Sequence, residues 1–255
     1  MINKNIKLKV YHNALDLSFE AFDFNRDAFT LTLLATDYFY IGYAKPFNSI
    51  YFQINTPNTT ANSLSIEYFN GSDWLPTSAH DDTKGLTRSG FISWDRNLSN
   101  ESATTINSNT NYYIRIQPSA SHSAAVIQAI GFIFADDNDL VNEVPEISDS
   151  NHLAGKASHI LTHVAVRNEI IQELNNKDYK KFDKITGLKE DLTCWDILDV
   201  NQLKQAAIFL TLSKIYFNFS DSVDDKYSQK SNYYFNKYKE AKELSRLSLD
   251  SNDDG

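Results

Sequence analysis

The sequence predicts an α+β protein made of two segregated domains, an N-terminal antiparallel β-sandwich of jelly-roll type and a C-terminal domain of about three helices. Three features point to it. Apolar and polar residues alternate as far as Phe134, which is the period of a half-buried strand. Turn formers recur between the alternating runs. Beyond an acidic stretch around Pro145 the apolar spacing becomes three and four residues, the period of a helix. The sandwich is placed at residues 1–138, an acidic linker at 139–152, and the helical domain, with a frayed C-terminal tail, at 153–255.

From the N-terminus, Ile6, Leu8 and Val10 alternate with Lys7 and Lys9; Leu17, Phe19 and Ala21 with Ser18 and Glu20; Phe29, Leu31 and Leu33 with Thr30 and Thr32. The runs DYFYIGY, NSIYFQIN, SLSIEYF, GFISW, YYIRIQ and VIQAIGFIF follow. Asn25 to Asp27, Pro46, Asn55 to Asn58, Asn70-Gly71, Asp81-Asp82, Gly85 and Asn97 to Asn100 separate them, segments rich in turn-forming residue types. The stretch Asp136 to Ser150, DDNDLVNEVPEISDS, reads as the linker.

The helices follow. Ile160, Val164, Arg167, Ile171 and Leu174 make one stripe, broadened by Leu161, and Asn175-Asn176 ends it. A polar connection leads to a second helix, for which Asp199 and Gln202 have capping-box spacing. That helix is apolar on two faces: Leu203, Ala207, Leu210 and Phe217 on one, Ile208, Leu212, Ile215 and Phe219 on the other. A third helix is expected from Ser222, with Asp225 as its capping-box partner and a stripe of Val223, Tyr227, Tyr234, Tyr238, Ala241 and Ser245. A helix apolar on both sides is buried on both sides. Three helices cover it only in part, so a second chain is expected to close it. Ile208, Leu212, Ile215, Phe219, Tyr234 and Tyr238 are the candidate interface residues.

Composition restricts function. The chain has 255 residues and a formal net charge of −9, which argues against a surface built to grip nucleic-acid phosphates. A single cysteine, Cys194, permits neither an internal disulfide nor a cysteine-based zinc site. No apolar run is long enough to span a bilayer, and MINKNIKLKVYHN lacks the apolar core of a secretory signal. Membrane association is not expected.

The chemistry-bearing patterns are sparse. There is no GxSxG, GxGxxG or GxxxxGK[ST], so no nucleophile elbow or nucleotide cofactor is expected. Cys194, in an acidic loop, reads as an inert thiol. His159 and His163 are four apart, but Ile160 stands where an HExxH zinc site has glutamate; a helix-surface or interface pair is expected, with His152 the nearest other histidine. The segment DDNDLVNEV offers oxygens and Glu143 but no glycine for a calcium loop. Trp74, Trp94 and the tyrosines are candidates for a sugar-stacking platform or for the core. Lys177, Lys180, Lys181, Lys184 and Lys189, interleaved with Tyr179 and Phe182 but also with Asp178, Asp183, Glu190 and Asp191, form either a mixed surface loop or a contact for an acidic partner or nucleic acid. No catalytic, cofactor-binding or metal-binding residue is assigned.

The run WDILDVNQLKQAAIFLTLSKIYFNFS, followed by DKYSQKSNYYFNKYKEAKELSRLSLD, resembles the head–tail adaptor (connector, or head-completion) proteins of tailed double-stranded-DNA bacteriophages. The pattern is a short first helix, a polar loop with an acidic-apolar element, an alanine-bearing helix and a Tyr-rich helix. Leu203-Lys204, Ala206-Ala207-Ile208, Tyr233-Tyr234, Tyr238 and Glu240-Ala241 stand at those positions. The likeness covers roughly residues 155–250. The N-terminal runs YFYIGYAKPFNSIYFQINTPN and LSIEYFNGSDWLPTSAHDDTKGLTRSGFISW look like β-sandwich modules carried on virion proteins; a typical adaptor lacks such an addition.

The resemblance implies a structural virion protein without catalysis, assembled in the host bacterial cytoplasm. It would form a homo-oligomeric ring of about twelve copies at the head–tail junction. The ring docks below the portal protein, extends the DNA channel and joins a further neck or tail protein. DNA would pass without sequence-specific binding, and the net charge of −9 leads to the expectation of a lumen without a continuous Lys/Arg belt, since a basic lining would hold the duplex. The alternative is a tail or baseplate accessory protein whose sandwich binds host-surface glycan.

Overall fold

A computed structural model describes residues 7–13, 15–20, 28–95, 100–153, 156–182, 187–197, 200–222 and 225–245. The protein is mixed α+β with antiparallel sheets, and its helices are C-terminal. It divides into two compact units, Met1–Phe132 and Ile133–Asp254.

The first unit runs β1 (Lys7–His12), β2 (Leu15–Asp16), β3 (Phe19–Glu20), β4 (Phe29–Leu31), β5 (Phe39–Tyr43), β6 (Ser49–Thr56), β7 (Leu64–Phe69), β8 (Trp74–Pro76), β9 (Ala79–Asp81), β10 (Gly90–Trp94), β11 (Thr104–Ile106), β12 (Asn109–Pro118) and β13 (Ala125–Gly131). One sheet has the order β2-β1-β5-β12-β7-β8, with β11 on β12 and β3 on β1; the other has the order β4-β13-β6-β10-β9. Every expected run forms a strand. Ile6, Ala21, Asn25 to Asp27 and Asn97 to Ser99 lie outside the described residues. Short β8, β9 and β11 were not expected, being too brief to show alternation.

Alternation sets the faces. Ile114 and Ile116 on β12, Phe39 and Ile41 on β5, and Ile66 and Tyr68 on β7 are buried, while Arg115, Tyr40 and Glu67 between them are half-buried. Gly42 is required by close approach: a Cβ there would lie 2.2 Å from the Tyr113 ring. Strand β6 is buried from Ser49 to Ile54, so its run reads as continuous rather than alternating. Between β6 and β13 the register slips at Asn55 and again, in the opposite sense, at Gln128. The two bulged residues hydrogen-bond to each other at 2.7 Å.

The second unit holds α1 (Asp137–Glu143), α2 (Ser150–Leu153), α3 (Ile160–Asn176), a hairpin of β14 (Lys180–Phe182) and β15 (Lys189–Asp191), α4 (Asn201–Asn218) and α5 (Lys226–Leu244). The stretch read as an acidic linker is instead structured. Asp136 caps α1 in a reciprocal capping box with Asp139, and Leu140, Val144 and Ile147 are buried. The clustered acids serve the helix N-terminus, where negative charge is favoured.

The buried stripe of α3 is Ile160, His163, Val166, Ile170 and Leu174, rotated from the expected one, and Leu161 is exposed. The α5 cap is also displaced. Asp225 is itself the N-cap, accepting from the Ser228 amide at 2.6 Å, and the helix begins at Lys226 rather than Ser222. Asp199, Val223 and the tail from residue 246 lie outside the described residues.

Candidate functional site

The two-faced helix α4 packs against α1, α3 and α5. Ile208, Leu212 and Ile215, expected to await another chain, are buried within this one, and so is Tyr238 of α5. Phe219 and Tyr234 are half-buried. The expectation that a second chain closes α4 is corrected here: α1, unforeseen in the linker, joins α3 and α5 in enclosing it. Phe217, assigned to a buried face, is 70% exposed, whereas Tyr216 beside it in the same turn is buried against Tyr227 and Tyr234 of α5.

Polar contacts lock the enclosure. Lys204 pairs with Asp139 at 2.8 Å and Lys214 with Glu169 at 2.6 Å. Ser231 donates to the Ser213 carbonyl at 3.0 Å inside the α4–α5 contact, where small side chains let the backbones approach. The Tyr238 hydroxyl donates to Glu173 at 2.7 Å, and Lys242 reaches the same carboxylate. Burial, then Glu173, push the Tyr238 hydroxyl far above its usual pKa.

His159 and His163 are buried, not a surface pair. Asp137 accepts from the His159 backbone amide and from His163 Nε2, the latter at 3.1 Å. Burial alone would raise the Asp137 carboxyl; the His163 bond and charge outweigh it and hold it below the usual range. Burial depresses His159, whose Nε2 lies 3.3 Å from the Ile147 carbonyl. These groups staple α1 to α3. Among the described residues no three His, Cys, Asp or Glu side chains are grouped to hold a metal. Cys194 is buried and its thiol is pushed up to about 11 by burial, the opposite of an activated nucleophile.

The basic loop is a hairpin whose lysines face acids. Lys180 opposes and pairs with Asp191, Lys181 lies 3.6 Å from both Glu190 and Asp196, and Lys189 pairs with Asp178 at 3.4 Å. Lys184 lies outside the described residues. Cross-strand pairing explains the interleaving of charges. Tyr179, Phe182 and Leu188 are exposed around it.

A column of rings is packed between α4 and α5, with Phe209 and Tyr216 buried and Tyr227 and Tyr234 half-buried. Tyr216 stacks on Tyr227 (6.3 Å, 21°) and on Tyr234 (5.8 Å, 12°), and Phe209 stacks on Tyr234 (6.2 Å, 30°). Lysines crown it. Lys226 lies 4.8 Å from the Tyr227 ring, Lys230 4.8 Å from Tyr216, and Lys237 5.3 Å from Phe209 and 5.4 Å from Tyr233. The spacing of Lys226, Lys230 and Lys237 places them on one flank, a signal present in the sequence but missed there.

In the first unit Trp94 is buried edge-on against Phe47 at 5.3 Å, so it belongs to the core. Trp74 stands with Tyr40, Phe69 and Tyr38 around Arg115, which lies 4.0 Å from the Tyr38 ring and 4.9 Å from Trp74 and pairs with Glu67.

Comparison with protein families, with curated proteins and with solved structures returns no match. Among the described residues, no helix is long and apolar enough to cross a membrane.

Proposed function

We propose that this chain is a non-catalytic structural subunit of a ring at the head–tail junction of a tailed double-stranded-DNA bacteriophage, docking below the portal and joining the next neck or tail protein. One observation carries the reading. Eight of the ten large apolar side chains exposed among the described residues lie in the helical unit: Leu161, Tyr179, Phe182, Leu188, Phe217, Tyr233, Phe235 and Leu244. The unit closes its own core and still exposes apolar groups on α3, on and beside the hairpin, on α4 and on α5, which suits a subunit with more than one neighbour. The order of a helix, a hairpin-bearing polar segment, the alanine-bearing α4 and the Tyr-rich α5 agrees with the resemblance.

The N-terminal unit is read as a jelly-roll sandwich. Strand order supports this: β4-β13-β6-β10 and β5-β12-β7-β8 interleave two four-stranded sets in jelly-roll fashion. The alternative, a glycan-binding accessory protein, draws on the Tyr38, Tyr40, Phe69, Trp74 and Arg115 cluster. Its rings are tilted by 45°, 64° and 58° to one another, not coplanar as a sugar-stacking surface would be, and Arg115 is already held by Glu67.

Mixing purified protein with portal rings and imaging the product tests the proposal. A ring added coaxially to the portal is expected. Absence of portal binding, together with retention of the protein on a host glycan surface, overturns the proposal in favour of the accessory-protein reading.

A further inference from the structure

We propose that the α5 stripe Lys226–Lys230–Tyr233–Lys237 is a docking face for an acidic surface of a second copy of this chain. The inference rests on the ring reading and names the contact that would close the ring.

Charge comes first. Helix α5 carries five Lys and two Glu, a net +3 within a chain of net −9, so the remainder carries −12. The basic stripe is thus a local exception on an acidic protein, and another copy is the partner whose charge it complements. The stripe spans about 16 Å from Lys226 to Lys237. Among the described residues no carboxylate lies within ion-pair distance of Lys226 or Lys237, whereas Lys230 holds Glu146 at 3.3 Å. The row therefore already accepts a carboxylate at its middle position and has two ammonium groups open on either side.

Order comes second. Each ammonium rests 4.8–5.4 Å from an aromatic ring of the stacked column, a cation–π arrangement that limits rotamer freedom. Pre-positioned lysines lose less entropy on docking than free ones. Tyr233, 54% exposed between Lys230 and Lys237, adds apolar contact inside the charged row.

Nucleic acid is the less fitting partner. Three lysines neutralise few phosphates, too few for the multi-contact electrostatic grip on which duplex binding rests. A basic patch on one side of the subunit meeting an acidic one on another is a heterologous contact, the kind that closes rings.

The test uses the full chain. Sedimentation velocity at low salt is compared for wild type, Lys226→Glu/Lys237→Glu, the neutral Lys226→Gln/Lys237→Gln and the control Lys226→Arg/Lys237→Arg. Association of wild type and of the Arg pair is expected, weakening at high salt. The Glu pair should associate at least about tenfold more weakly, and the Gln pair should lie between, with unchanged thermal melting throughout. Equal association by wild type and the Glu pair overturns the docking face while leaving the ring reading intact. Wild type that neither self-associates nor forms a ring on portal overturns both. Duplex binding at physiological salt that the Glu pair abolishes overturns the proposal and makes the stripe a nucleic-acid contact.

Discussion

Asp137 accepts a hydrogen bond from His163 Nε2 at 3.1 Å, tying the first helix of the C-terminal unit to its third. The carboxylate is held below its usual range, so the stability it contributes is present above its unfolded pKa and is lost as pH falls through the folded one. His159 is depressed by burial. Its contribution is present at neutral pH and declines as pH drops below about 6.5, where the unfolded chain takes up the proton first. Acid is therefore expected to destabilise the helical unit in two steps, one below about 6.5 and one below about 4. Asp137→Asn should cost about 1–3 kcal/mol and diminish the lower step. Thermal melting across that pH range checks it; identical profiles for wild type and variant would show the contact to be idle.

Ile215 lies inside the subunit rather than at its edge. Ile215→Asp should destabilise the chain by more than about 3 kcal/mol, because no partner awaits the new charge. Loss of stability is expected in the isolated subunit, before any assembly step. Urea unfolding of the monomer decides this: a variant with wild-type stability would place the side chain at a surface.

Gly42→Ala tests the packing of the first unit. Its Cβ would lie 2.2 Å from the Tyr113 ring, so the ring or the strand must shift. Overpacking of this kind costs about 1–3 kcal/mol. Unfolding followed by tyrosine fluorescence should report both the lower stability and the displaced ring; an unperturbed transition refutes the contact.

The hairpin lysines are engaged by acids, and the chain is acidic overall. Duplex DNA is expected to bind weakly or not at all at physiological salt, where charges beyond about 8 Å are screened. A gel shift reads this directly. Tight binding abolished by Lys180→Glu, Lys181→Glu and Lys184→Glu would identify the hairpin as a DNA grip.

The longer strands, the three main helices and the change of period between them are legible in the chain alone. Each depends on local apolar spacing, which is written along it. Which side of each element lies inside depends on contacts between distant residues. In α3 the buried stripe runs through His163 because Asp137, twenty-six positions earlier, satisfies its ring nitrogen; polarity alone would leave a histidine outside. The acids of 136–149 read as a linker although the capping box of Asp136 and Asp139 is local, three residues apart; what the chain alone does not show is their pairing, Asp139 with Lys204 and Glu146 with Lys230 far along the chain. Helix α4 looked incomplete because the helix that helps to enclose it was hidden in that stretch. The lysine row of α5 was present as a spacing, but its meaning came from the ring column beneath it, which exists only once α4 and α5 are packed together.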